Sequence, residues 1–278
     1  MPAARPLARA LSLTIACAAT FGASAPGIAS HTAQRALRAR VGALPTAKEV
    51  VARYDRALGG IEAIHRHTSA TLTGTLELRK PDGFAKIPLV VRMRAPYFQL
   101  TTGTLPNNAG EDSSGFDGAN AWHLAPGAKP EVFTGNTRES IKRDADFYYA
   151  ITELSWFKSI ETVGIEEFEG HSCYHLHGTT NWGVSNNQFY DRATGLLVGY
   201  EFDNVWRGAP ALEHMIFSHY EKIDGVLVSM TQTSKAQLKS GGDWAVAQIM
   251  TNTSVTFNNV DPSVFTPPQA VRDLLAKK

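Results

Sequence analysis

Apolar and polar positions along the chain change period several times, and each change marks a new element. Val50, Val51, Tyr54, Ala57, Leu58 and Ile61 recur at the spacing of one helical face. Thr46 precedes Glu49 by three residues, the S/T-x-x-E pattern of a capping box, in which hydroxyl and carboxylate satisfy free backbone N–H groups. A helix is therefore predicted to begin at Leu44-Pro45-Thr46. Gly59-Gly60 breaks it, and a short turn from Ile61 to His65 continues it.

After His67 the period becomes two. Ala70, Leu72, Gly74, Leu76 and Leu78 alternate with Thr71, Thr73, Thr75, Glu77 and Arg79, as in a one-sided strand. Pro81-Asp82-Gly83 is a turn, and Ile87, Leu89, Val91 and Met93 alternate beyond it. Tyr97 to Thr102 reads as a third strand, Asn107 to Ser114 as a polar loop, and Phe116 to Trp122 as a hairpin turning near Asp117-Gly118. A second helix is predicted from Thr137 to Thr152, with Ile141, Ala145, Tyr148, Tyr149 and Ile151 on one face and Arg138, Lys142 and Arg143 on the other. From Thr162 onward strands return, punctuated by turns at Glu169-Gly170, Ala193-Thr194-Gly195 and Asp224-Gly225. The tail closes through Asp261 to Phe265 and a short terminal helix after Pro267-Pro268.

These elements predict a mainly β fold of the α+β class. About ten strands in up-and-down order form one large, strongly curved antiparallel sheet, and the helices bury their apolar faces against its concave side. A cleft remains between sheet and helices. No low-complexity linker interrupts residues 44–278, so this span is read as one domain.

The ends add a destination. Arg5 and Arg9 precede the uncharged run Ala10 to Ala19, too short to span a bilayer as an anchor would, and small residues follow. Residues 1–29 therefore read as an export signal, cut after Gly27-Ile28-Ala29, since Pro26 disfavours a cut after Ala25. Thr14-Ile15-Ala16-Cys17 resembles a lipobox, with Thr14 where such motifs usually carry Leu. An acyl group on Cys17 would tether the protein to a membrane face. Residues 30–43 read as a flexible leader. Its basic tract (His31, Arg35, Arg38, Arg40) offers weak attraction to anionic head groups as a second reading. With the signal removed Cys173 is the remaining thiol, so the core and no internal disulfide must hold the fold. A net charge of +1, with 19% charged residues, gives no sign of a nucleic-acid surface.

Several blocks are similar to a known family. Thr46 to Tyr54, then Ala57-Leu58-Gly59-Gly60 and a strand with Gly74, resemble the opening of envelope proteins related to the outer-membrane lipoprotein-sorting carrier. So do Gly115-Phe116-Asp117-Gly118 with Ala121-Trp122, Glu169-Gly170 before a strand bearing Tyr174, Tyr190-Asp191 with Thr194 to Leu197, and Tyr220 with Asp224-Gly225-Val226. The resemblance spans roughly Leu44 to Pro268 and rests on turn and strand punctuation. It implies a half-barrel, a half-open curved sheet closed by helices around an apolar cavity. It also implies a periplasmic protein of a Gram-negative-type envelope that carries lipoprotein acyl chains, lipids or another apolar ligand, with partner proteins at the inner or outer membrane. The longer leader and extended middle loops depart from a minimal carrier.

Enzyme signatures are missing: the chain has no G-x-S-x-G, H-E-x-x-H, P-loop or G-x-G-x-x-G. A non-catalytic protein without a cofactor is expected. One row carries possible chemistry, since a strand from His171 to His177 would set His171, Cys173, His175 and His177 on one face. Imidazole and thiolate bind zinc or copper, yet alternate residues lie ~7 Å apart, so neighbouring pairs could share an ion and the whole row could not. The plainer reading is a partly buried strand face. His65 and His67 read as solvent-facing, and Asp144 and Asp146 as diverging on a helix rather than as a catalytic pair. The aromatic set Phe147, Tyr148, Tyr149, Trp156 and Phe157 is core or cleft wall. Cavity candidates, chosen by face, are Leu72, Leu76, Leu89, Val91 and Met93 from strands, with Val51, Tyr54 and Tyr148 from helices. Two rivals stand beside the carrier reading: a metal or redox protein built on the His171–His177 strand, and an envelope scaffold subunit using its sheet edge.

Overall fold

The capping box forms as its residues dictate. In the first helix, α1 (Ala47–Leu58), the Thr46 amide donates to Glu49 Oε2 at 2.7 Å and the Glu49 amide donates to Thr46 Oγ1 at 3.3 Å. Gly59 ends the helix at φ 124°, where a Cβ would stand 2.3 Å from the Gly225 carbonyl oxygen, and α2 (Ile61–His65) follows. The structure is a computed structural model that describes residues 44–277. The export signal read over 1–29, the leader 30–43 and Cys17 lie outside the described residues.

Thirteen strands make one antiparallel sheet. The first six are β1 (Ser69–Lys80), β2 (Gly83–Arg94), β3 (Phe98–Thr104), β4 (Glu111–Asp117), β5 (Ala121–Leu124) and β6 (Glu131–Phe133). After α3 (Gly135–Asp144) and α4 (Tyr149–Thr152) come β7 (Phe157–Phe168), β8 (His171–Thr180), β9 (Ser185–Asp191) and β10 (Leu197–Trp206). The series ends with β11 (Ala209–Ile223), β12 (Val226–Leu238), β13 (Ala245–Phe257) and α5 (Gln269–Leu275). The order is β6-β5-β4-β3-β2-β1-β13-β12-β11-β10-β9-β8-β7, so the sheet is not closed and β6 and β7 are its edges. The long-range pairing of β1 with β13 joins the two runs of neighbouring strands. Its register shifts between Thr73 and Gly74, where a Cβ on Gly74 would come within 2.0 Å of the Thr251 carbonyl oxygen.

Three expectations need correction. Glu111 to Ser114, read as loop, begins β4: its polar residues face a buried partner, with Asp112 Oδ1 2.9 Å from His123 Nε2. The strand expected from Thr162 begins at Phe157, and the strands, the short β6 among them, number thirteen against the expected ten or so. The helix expected over Thr137 to Thr152 is two pieces. Asp146 takes the break, pairing by a backbone bridge with Tyr97 and accepting hydrogen bonds from the Tyr148 amide (3.0 Å), Thr152 Oγ1 (2.5 Å) and Trp156 Nε1 (3.0 Å). A carboxylate that caps its own following residues offers the backbone an alternative to continuing the helix.

The apolar face of α1 is used as its periodicity requires. Val50 and Val51 pack with Leu176, Tyr190, Leu197 and Tyr200 from β8 to β10. A second cluster gathers Leu76, Leu78, Ile87, Leu89 and Val91 from the β1–β2 hairpin.

Candidate functional site

The two clusters do not meet completely. Between them lies a cavity of about 380 Å³ whose walls come from β1 to β3, from β10 to β13, from α1 and from residues 143–150. An adjoining chamber of about 260 Å³ shares Tyr54, Leu72, Met93, Phe147 and Phe217 with it, and extends past Leu58, Ile64, Val226 and Val255. Together they fall in the size range of small-molecule sites, roughly 300–1,000 Å³.

Five of the eight cavity candidates face this space: Tyr54, Leu72, Leu89, Val91 and Met93. The other three are not among the residues lining either chamber. Leu76 is fully enclosed in the hairpin cluster, and Val51 is enclosed under α1. Tyr148 turns aside to pack by Leu58 and Ile64, and its hydroxyl donates to the His67 carbonyl at 3.1 Å; its neighbours Phe147 and Tyr149 face the space instead. Alternation assigns a residue to a face, while depth along the strand decides whether it meets the void or another side chain. His67, expected to face solvent, is buried against Phe257, with ring centroids 4.0 Å apart.

Polar members of the lining were not foreseen. Gln99, Thr101, Arg143, Asp144, Asp146, Asn204 and Glu213 all border the larger chamber. The signal in the sequence is faint: Glu213 interrupts the inward series of β11 between Ala211 and Met215, while in β3 the apolar Phe98 and Leu100 alternate on the other face and give no sign that Gln99 and Thr101 turn inward. Glu213 accepts hydrogen bonds from Ser234 Oγ at 2.5 Å and from Asn204 Nδ2, and burial raises its carboxyl above the ordinary range. Asp144 is pushed up to about 6 by burial, against the pull of Arg143 at 3.4 Å. Its side chain keeps 29% exposure, so solvent screens much of that effect.

Glu153 lies behind Tyr149 and is 1% exposed. Gln188 Nε2 donates to its carboxylate, and the Tyr190 hydroxyl donates to Gln188 Oε1 at 3.0 Å. Burial pushes this carboxyl up to about 7 from 4.5, opposed by the Arg143 guanidinium and by hydrogen bonds from Tyr149 and Gln188. The folded state thus holds a proton that the unfolded chain has released. Stability from this group is full below about 4.5 and is lost as pH rises to about 7. Glu153→Gln is expected to flatten that fall and to add roughly 2–3 kcal/mol above the range. Urea unfolding across pH checks it; a slope equal to that of the unaltered protein would refute the assignment.

The His row occupies the opposite face of β8. Cys173 is buried with Phe168, Phe189 and Val198, and burial, with the Asp191 carboxylate beside it, pushes its thiol up to about 12. Such a thiol is a poor source of thiolate. His171 pairs with Asp191 at 2.9 Å, His175 with Glu166 and Asn187 at 3.0 Å each, and His177 with Asn187 at 2.7 Å. The ring nitrogens are thus turned to side-chain oxygens, with His175 and His177 sharing Asn187 Oδ1. Among the described residues no group of three or more His, Cys, Asp or Glu is arranged to hold a metal ion, and no helix is long and apolar enough to cross a membrane.

An open, mostly β sheet with a lined hollow defines the structural class, and solved structures with the same architecture give it a closer name. A LolA superfamily protein from Nitrosomonas europaea matches with a TM-score of 0.57 at 14% identity, over 81% of this chain and 99% of that one. A DUF1329 family protein from Desulfovibrio piger matches at 0.55 and 12% identity, over 78% of this chain and 96% of that one. An outer membrane lipoprotein-sorting protein domain from Vibrio parahaemolyticus matches at 0.52 and 12% identity, over 77% of this chain and 95% of that one. The chain therefore has a LolA-like fold. No family model and no curated protein matches its sequence.

Proposed function

We propose that this protein is a non-catalytic periplasmic carrier that holds the acyl chain of a lipid or lipidated protein in the hollow of its sheet. The observation that carries this reading is the cavity itself, walled by Leu72, Leu89, Val91, Met93, Phe202 and Phe217 and continuous with a second apolar chamber. Burying an acyl chain there removes apolar area from water at about 25 cal/mol per Å². A single chain held this way stays releasable, as a carrier requires.

A strongly bent sheet is part of the same reading. β3 is fourth in the strand order and β7 thirteenth, so at ~4.8 Å per strand a flat sheet would hold them roughly 43 Å apart. Yet Tyr97, just before β3, has its ring 6.0 Å from that of Trp156, just before β7. On this reading the half-barrel's concave side faces the helices, and residues 44–278 work as one unit. Tyr54, Leu72, Leu89, Val91 and Met93 touch the ligand, while Val51, Leu76 and Tyr148 hold the wall behind them. The export signal, and a lipid on Cys17 if one is attached, would deliver the protein to the envelope. Partner proteins at the inner or outer membrane would load and unload it.

Native mass spectrometry of protein purified from its own envelope fraction tests the proposal, because bound lipid and N-terminal acylation appear in one spectrum. The expected result is a fraction of molecules heavier by a lipid mass. Protein free of lipid that also takes up no neutral apolar dye would overturn it.

A further inference from the structure

One short segment serves both the cavity wall and the core. Phe147, Tyr149 and Ala150, in and just before α4, line the larger chamber. The turn that follows directly, Glu153–Trp156, sets Glu153 into the core behind them. Around that acid little water remains: Glu153 and Tyr190 are each 1% exposed and Gln188 is fully enclosed.

A run of hydrogen bonds joins the wall to this carboxyl. The Tyr200 hydroxyl donates to the Tyr149 hydroxyl at 3.2 Å, and Tyr149 donates to Glu153; both tyrosines line the larger chamber. From the far side Gln188 Nε2 donates to Glu153, and the Tyr190 hydroxyl donates to Gln188 Oε1 at 3.0 Å. The groups facing Glu153 are Arg143 from α3, Asp146 and Tyr149 from the segment over the cavity, Gln188 and Tyr190 from β9, Tyr200 from β10 and Tyr54 from α1. One guanidinium therefore serves three carboxyl groups, Asp144, Asp146 and Glu153, and it pairs with Asp144 at 3.4 Å. Ionising Glu153 adds a negative charge to a dry core, and that one cation must be shared to offset it.

The strain has an outlet. Carrying the carboxylate out to water moves Tyr149 and Ala150 with it, and these are part of the chamber wall. A protonated acid has no such drive. Resting on the carrier reading above, we infer that Glu153 is a proton-operated latch: protonated, it seats α4 and closes the chamber over its ligand, and ionised, it loosens α4 and lets the ligand leave. Burial holds the seated carboxyl at about 7 against 4.5 in water, so the closed form loses its advantage as pH rises between these values and changes little above them. Asp144 and Glu213 on the chamber wall are also raised by burial, so a test must separate them from Glu153.

The dye N-phenylnaphthylamine stays uncharged from about pH 5 to about pH 8 and reports closure directly. Its dissociation constant for the unaltered protein is expected to rise roughly tenfold over that span, most of the rise falling below about pH 7. Glu153→Gln, uncharged throughout, is expected to bind as the unaltered protein does at the acid end and to vary by no more than about twofold. Tyr149→Phe keeps the ring but removes a donor that favours the carboxylate, so its rise is expected to extend to higher pH. A constant that is flat with pH in the unaltered protein overturns the inference while the carrier reading stands. So does a tenfold rise that persists in Glu153→Gln, which would put the response at Asp144 or Glu213. Where that variant does not fold, an unmoved profile in Tyr149→Phe overturns the inference. No uptake of dye at any pH overturns both readings.

Discussion

Ala150→Trp is expected to cut affinity for N-phenylnaphthylamine about thirtyfold without unfolding the protein. Ala150 is half-buried on α4 and borders both chambers, so an indole there fills the passage between them. A dye denied ~80 Å² of apolar contact loses ~2 kcal/mol, which is roughly thirtyfold in affinity. Overpacking is the competing effect, since extra volume in a filled core costs ~1–3 kcal/mol. Here the added ring enters a void, so binding should suffer more than stability. Dye titration beside thermal unfolding separates the two. Unchanged affinity in a folded variant would mean that the dye, and by extension the ligand, sits elsewhere.

The sequence does not single out Ala150, and the physical reason is specific. Ala150 carries no pattern signal: it lay on a helix expected to run unbroken from Thr137 to Thr152, outside the face assigned by period. The capping box at Thr46 and Glu49 and the alternation of Leu72, Leu76, Leu89, Val91 and Met93 were legible because local spacing alone determines them. The placement of Cys173 and His175 opposite Tyr174 and Leu176 on β8 was legible for the same reason. Features that depend on what arrives from elsewhere in the chain were not. Glu111 to Ser114 looks like a loop until His123 meets Asp112, and Leu76 looks like Leu72 until neighbouring strands close over one and leave the other bare. Gln99 and Glu213 reverse the usual logic, because an apolar template passes over polar residues that line a hollow.

Asp146 is the residue on which that hollow's roof turns. Its carboxylate and backbone tie together the Tyr97 bridge, the first turn of α4 through the Tyr148 amide and Thr152 hydroxyl, and the Trp156 indole. Trp156 in turn contacts Tyr97 and, at 6.3 Å, Trp182. Two opposing effects follow from Asp146→Ala. Removing a carboxyl that is 3% exposed relieves a desolvation cost, but it leaves the Tyr148 amide and the Trp156 indole without their acceptor, while the Thr152 hydroxyl keeps the Tyr148 carbonyl at 3.2 Å. Each donor to a charged acceptor contributes ~1.5–3 kcal/mol, and breaking such buried arrangements from one side costs about 3–5 kcal/mol, so loss should win. Urea unfolding is expected to show a drop of at least ~3 kcal/mol with an unchanged denaturant slope. Asp146→Asn keeps one carbonyl oxygen and should fall between. If the alanine variant loses less than ~1 kcal/mol, the break between α3 and α4 is set by other contacts, and the segment over the cavity is held by Phe147 and Tyr149 packing instead.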